Sequence, residues 1–245
     1  MHSLERASTA LTDQLSYMVS EAWKKSHSSP PLLEIAVNPD LTSKNNAVAV
    51  AAFDFDGTLT WKDSFAAFLG FVGGPIKLGL TAVAQPEPFL DYLRRRDRGA
   101  LKSRFLFNLL GAISEVDLDI LIRAFAAATG RRLFRSDAVE CWSSLADSGL
   151  TRVIVTASPE VLVAPFGAIL GADRVIGSKL KFSADGRLMP ELDGLNCRGA
   201  EKVRRLHAAF GEDMDLDQAY GDTDGDAEML AAAREGHYRL FKARP

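Results

Sequence analysis

The sequence predicts an α/β fold: a parallel sheet with helices on both faces, carrying a helical insert after its first strand. Three observations predict it. Short apolar strand candidates alternate with helical patterns from residue 136 onward, and one apolar, Ala/Val-rich strand stands far upstream at residues 47–55. The stretch between them holds several helical patterns and no strand candidate. Strand–helix alternation is the mark of parallel strands joined by crossover helices. With 245 residues, 47% of them hydrophobic, the chain can fill one full core, or one core plus a small insert.

Taken in order, residues 1–46 read as an N-terminal extension. Leu4 to Trp23 has a weak amphipathic pattern, and Ser26–Pro31 and Asn38–Asn46 are turn-rich linker, so a flexible segment is expected. Ala47–Phe55 (AVAVAAFDF) suits a strand buried on both faces that stops at Gly57. Residues 61–135 form the expected helical cap. Its opening, Ser64–Ala84, has one charge, Lys77, and a length near that of a membrane span. Gly73-Gly74-Pro75 and the central lysine favour two short helices in an apolar hairpin instead. From residue 136 the helical patterns are Ser136–Leu145, Pro159–Leu170, Gly199–Phe210 and Asp226–Arg234, and the strands are Thr151–Thr156, Arg174–Ile176 and Gln218–Tyr220. Ser178–Pro190 breaks the alternation, with Asp185-Gly186 as a hairpin signal. The expected core is therefore residues 47–60 and 136–245.

Composition removes several classes. A net charge of -3 gives no drive toward nucleic acid. Cys141 and Cys197 make no disulfide framework, and no Cys/His cluster suits zinc. The N-terminus lacks a basic start, an apolar run and a cleavage site, so a cytoplasmic location is expected.

Four motifs carry chemistry. In Phe53-Asp54-Phe55-Asp56-Gly57-Thr58, residues two apart along a strand point the same way, so both carboxylates are expected to aim at one side of the strand end. Ligands of open parallel sheets bind beyond that end. Two crowded carboxylates there need a cation, or one of them must be protonated, and oxygen ligation beside phosphate suits Mg²⁺. In Val153–Pro159 a second strand runs into Thr156, Ala157 and Ser158 before a helix, which is either a phosphate cradle or a plain helix cap. Lys202 stands at the start of a helix, against the dipole; by itself it reads as a surface lysine, and a phosphate ligand would offset the cost. Lys179 and Lys181 are rivals that the hairpin is expected to carry away. Gly221-Asp222-Thr223-Asp224-Gly225-Asp226 crowds carboxylates at another strand end, which is costly without a cation.

In this order the four motifs resemble those of the haloacid dehalogenase superfamily, over residues 48 to about 242. The closest likeness is to its phosphoserine-phosphatase-like branch, where a helical cap follows the first motif. The resemblance implies a Rossmann-like core and a Mg²⁺-dependent phosphomonoester hydrolase. It implies that Asp54 is the nucleophile and Asp56 the acid and base. Thr156, Ala157 and Lys202 would hold the phosphoryl group. Asp54, the backbone carbonyl of Asp56, Asp222 and Asp226 would hold the metal. Asp56 also argues against the dehalogenase and P-type ATPase branches, which usually lack a carboxylate there.

The substrate is the least readable part. Asp63 stands where phosphoserine phosphatases have Glu, and Ala157-Ser158 replaces their glycine pair. Arg104 is a candidate for a substrate carboxylate. The apolar cap opening precedes a basic run, Arg94-Arg95-Arg96 with Arg98, Lys102 and Arg104, and Trp61–Leu110 holds eight Lys/Arg against four Asp/Glu. Apolar helices beside basic residues suit peripheral contact with an anionic membrane; a cap core with a solvated charged face is the alternative. Cap, motifs and Leu195–Gly199 are similar to a bacterial group that includes phosphatidylglycerophosphate phosphatases. The expectation is a lipid phosphomonoester, with phosphoserine or another soluble phosphomonoester second and an inactive binding module third.

Overall fold

The structure, a computed structural model, describes residues 48–84 and 98–244, the side chains of residues 75–84 and of Arg98 excepted. The extension and the run Arg94–Arg96 lie outside the described residues.

The chain enters at β1 (Ala49–Phe53) and leaves the sheet for the cap. The cap holds α1 (Ser64–Ala84), α2 (Arg98–Leu110) and α3 (Glu115–Thr129). The core resumes with α4 (Ser136–Ala146), β2 (Thr151–Pro159), α5 (Glu160–Leu170) and β3 (Arg174–Ser178). A hairpin of β4 (Leu180–Phe182) and β5 (Leu188–Leu192) follows, then α6 (Ala200–Phe210) and β6 (Asp215–Gly221). The last elements are α7 (Ala227–Ala232) and β7 (Glu235–Tyr238). The main sheet has five strands in the order β3-β2-β1-β6-β7, every pair parallel.

Alternation along β1 explains the layers. Val50 and Ala52 face one cluster with Val153, Val155, Leu206 and Met229, under α6 and α7. Ala51 and Phe53 face the other with Ile154, Trp142 and Phe166, under α4 and α5. That second cluster continues into the cap through Phe65, Phe68, Leu106 and Phe125. The rings of Phe125 in α3 and Phe166 in α5 lie 5.7 Å apart, edge to face, and fasten cap to core.

The α/β class and the inserted helical cap are as expected, and three details differ. β2 runs on to Pro159, so α5 starts at Glu160, well past Thr156. The last predicted helix is shorter, a 3-10 turn at Asp224–Asp226 followed by α7, and Glu235–Tyr238 forms a strand where the sequence pattern predicts no element. That strand, EGHY, is an edge strand with mostly exposed residues, so it carries no apolar signal. α1 is broken at Gly74 (φ 62°, ψ 167°), in line with two short helices, and among the described residues no helix is long and apolar enough to cross a membrane.

Candidate active site

Of three adjacent strands, β1 and β6 end within a residue of each other and β2 runs on past them, and the first, second and fourth motifs sit at this edge. The Asp54 amide extends the ladder by one bond, donating to the Tyr220 carbonyl at 2.9 Å. Lys202, in the first turn of α6, is 1% exposed. Its ammonium donates to Asp54 Oδ1, Asp226 Oδ1 and the Val155 carbonyl, each at 2.6 Å. One cation thus ties all three strand ends together. Burial disfavours its charge, but Asp54 and Asp226 outweigh burial and hold its pKa above the ordinary value. Burial pushes Asp54 up, to about 7, with Lys202 pulling the other way.

The loop after β6 is organised around Asp226. Its Oδ2 accepts from the Asp222 amide (3.2 Å), the Thr223 amide (3.0 Å) and the Thr223 hydroxyl (2.9 Å). Burial works against ionisation of Asp226, but Lys202 and these donors prevail and its pKa is lowered. Asp222 has the weaker set, with the Thr58 hydroxyl at 3.5 Å, and burial and Asp226 raise its pKa. Asp54, Asp222 and Asp226 each offer an oxygen within 4.8 Å of the others. Gly57 (φ 91°) makes the approach possible, since a Cβ there would stand 2.2 Å from Asp222 Oδ2. Three carboxylates around one ammonium leave excess negative charge, and oxygen donors at this spacing fit a hard divalent cation.

Asp56 has a set of partners of its own. β1 ends at Phe53, so strand alternation does not extend through Asp56, and the two carboxylates take different partners. Asp56 Oδ1 accepts from the Ser64 amide at 2.6 Å, capping the start of α1. Its Oδ2 accepts from the Ser158 hydroxyl. Burial and Asp63 raise its pKa, while Lys102, Ser158 and Ser64 act to lower it, and the net shift is upward. Its carboxylate is not one of the three acidic side chains that cluster.

Thr156 is buried, and its hydroxyl accepts from the Ser158 amide at 3.0 Å. The Ala157 carbonyl accepts from the Ser178 hydroxyl at 2.9 Å. Thr156 lies in β2 as expected, and the strand runs on through Ala157 and Ser158 to Pro159, so these two residues belong to the strand and not to the turn before the helix. Lys179, just before β4, and Lys181, within it, are both exposed. Two residues not singled out for this site join it. Ser158 touches Asp56, and Lys102 of α2 reaches Ser158 (3.2 Å) and Asp63 (3.3 Å). Ser158 lay inside the second motif. Lys102 lay in a basic run whose helical phase no spacing revealed.

Comparison with known proteins gives four findings. A family model described as haloacid dehalogenase-like hydrolase matches residues 51–231. Protein CicA of Caulobacter vibrioides (strain NA1000 / CB15N) is 46% identical over 196 residues, spanning 80% of this chain and 88% of the relative. A structure of a protein of unknown function from Bordetella pertussis Tohama I aligns with TM-score 0.64 and 24% identity over 76% of this chain and 87% of that one. A phospho-aspartyl intermediate analogue of phosphoserine phosphatase aligns with TM-score 0.50 and 20% identity, covering 77% and 84%. At these identities the two structures share the fold.

Proposed function

This chain belongs to the haloacid dehalogenase-like hydrolases, and on that footing we propose that it is a magnesium-dependent phosphomonoesterase that works through an aspartyl-phosphate on Asp54. The observation that carries the reading is the buried Lys202 holding Asp54 and Asp226 beside Asp222, with Asp56 held apart. A nucleophile and an acid–base group must differ in surroundings to differ in role, and these two carboxylates do.

In this mechanism the Asp54 carboxylate attacks phosphorus, the ester P–O bond breaks, and the leaving oxygen takes a proton from Asp56. Asp56 then takes a proton from water, which attacks the aspartyl-phosphate and releases phosphate and the Asp54 carboxylate. The three Lys202 protons are already placed on Asp54, Asp226 and Val155. Lys202 therefore contacts a phosphoryl oxygen by exchanging one of these acceptors, with Thr156 and Ala157 lining the same strand end. Mg²⁺, held by Asp54, Asp222, Asp226 and the Asp56 carbonyl, would supply positive charge to the phosphoryl oxygens and keep Asp54 ionised.

For the substrate, a lipid phosphomonoester such as phosphatidylglycerophosphate is favoured by the apolar opening of the cap and its basic run. One contact disfavours phosphoserine: Asp63, which stands where the resemblance implies an acidic residue facing the substrate's amine, is already paired with Lys102 at 3.3 Å. Such an enzyme would work at the cytoplasmic face of the membrane, bound reversibly. The test is a panel with Mg²⁺ comparing phosphoserine, sugar phosphates and phosphatidylglycerophosphate in mixed micelles, with acid-quench trapping of phosphoenzyme. Turnover of the lipid above the others, with phosphate trapped on the wild type and not on Asp54→Asn, supports the reading. Full activity after EDTA and dialysis removes the metal, and preference for phosphoserine removes the lipid.

A further inference from the structure

The partners of Asp56 form a closed circuit between cap and core. Asp56 Oδ1 is held by the Ser64 amide (2.6 Å) and Oδ2 by the Ser158 hydroxyl. The Lys102 ammonium donates to the Ser158 hydroxyl oxygen (3.2 Å) and to Asp63 Oδ2 (3.3 Å), and Asp63 is the chain neighbour of Ser64. The circuit thus joins the start of α1, the middle of α2 and the end of β2.

Hydrogen-bond chemistry gives the circuit a direction. A serine hydroxyl has one proton, and an ammonium only donates. With Lys102 donating to Ser158, the serine proton is left for Asp56. Ser158 is 0% exposed and its amide is fixed on the Thr156 hydroxyl at 3.0 Å, so the donor is locked at both ends. Lys102 is itself located by Asp63 and by the Phe65 ring, 5.3 Å from its nitrogen. The Lys102–Asp63 pair is 25% and 46% exposed, so as an ion pair it adds little stability. Its geometric effect is larger, because a carboxylate held at both oxygens cannot turn.

We propose that Ser158 and Lys102 are positioning residues for Asp56, so that seating of cap helix α2 sets the acid–base carboxylate through a core serine. This rests on Asp56 being the acid and base, as proposed above. The loss should therefore follow the leaving group. Esters with a poor leaving oxygen need the proton; esters with a good one do not.

The experiment is rapid-quench measurement of enzyme phosphorylation with Mg²⁺, using an alkyl phosphate and p-nitrophenyl phosphate. The variants are Ser158→Ala, Lys102→Met, Lys102→Arg, the Ser158→Ala/Lys102→Met double variant, and Asp56→Asn as control, each verified as folded by circular dichroism. Ser158→Ala and Lys102→Met should each slow phosphorylation by the alkyl ester by about tenfold, at the low end of what acid–base catalysis is worth, with less than about twofold change for the aryl ester. KM should hold, the double variant should lose no more than either single one, and Lys102→Arg should recover most of the rate. Equal losses on both esters, or no loss on either, would overturn the proposal. So would a Lys102→Met effect confined to KM for esters with an anionic leaving group, since Lys102 would then be a substrate ligand. If Asp56→Asn itself shows no dependence on leaving group, the acid–base reading fails first. If only Asp56→Asn shows it, this inference alone fails.

Discussion

The carboxyl end of the sheet and the cap above it are held by opposite forces. At the sheet end, Asp54, Lys202 and Asp226 are buried charges, each placed by a partner on another element. In the cap the interior is Phe65, Phe68, Leu106 and Phe125, and the buried hydroxyls of Ser64 and Ser103 have no hydrogen-bond partner among the described residues. Charge geometry is intolerant, because removing one member strands the rest in low dielectric. Apolar packing tolerates exchange at constant volume. A fixed chemical floor can therefore sit beneath a roof that is free to change.

The sharpest test of that contrast is Asp54→Asn. Turnover should fall on the order of 10⁴-fold or more, as when another enzyme loses a nucleophile, while circular dichroism stays unchanged. Next, Lys202→Met should cost roughly 3–5 kcal/mol in denaturant unfolding, because two buried carboxylates lose their shared cation. Leu106→Met, the matching change in the cap, should cost under about 1.5 kcal/mol and keep activity. Similar costs at both places would erase the contrast.

A pH experiment probes the floor alone. Asp54 is raised to about 7 in the fold, from 3.8 as the ordinary value. Between those values the folded chain binds more protons than the unfolded one, so this group's contribution to stability falls as pH rises through that window. Mg²⁺ held by the carboxylates would reverse the loss. The melting-temperature gain from Mg²⁺ over EDTA should thus be larger near pH 8 than near pH 5, and the opposite order would count against the acidic triad as a metal site. The smallest effect is expected at the membrane. Changing Arg94, Arg95 and Arg96 to Glu should weaken co-sedimentation with anionic vesicles by roughly 1 kcal/mol per residue and spare hydrolysis of a soluble aryl phosphate. Equal loss on lipid and soluble substrates would return small phosphomonoesters to first place.

The same contrast explains what the sequence revealed. Asp54, Asp222, Asp226 and the strands leading to them were legible because carboxylates at the ends of buried strands are chemically unusual. Lys202 was legible only jointly, since one lysine on a helix has no signature. The divergence of Asp54 from Asp56 was hidden because it depends on β1 stopping at Phe53. The contact of Lys102 with Ser158 was hidden because it depends on the rotation of α2 against β2, which packing sets and residue type does not. β7 was hidden because an exposed edge strand has no apolar face to display.

The strand order has a consequence for synthesis. β1 sits at the centre of the sheet, yet its neighbours are β2 and β6, with Phe53 beside Ile154 on one side and Tyr220 on the other. On the ribosome, the strand that leads to Asp54 emerges long before either partner. Until Asp215–Gly221 is made, one edge of an apolar Ala-Val-Ala-Ala-Phe strand stays open, which is the kind of edge that recruits other chains. Nascent chains stalled just before Asp215 are expected to pellet in fractionation, and chains released at full length to stay in solution. The strand leading to Asp54 is the first of the described strands to be made and among the last to be closed in.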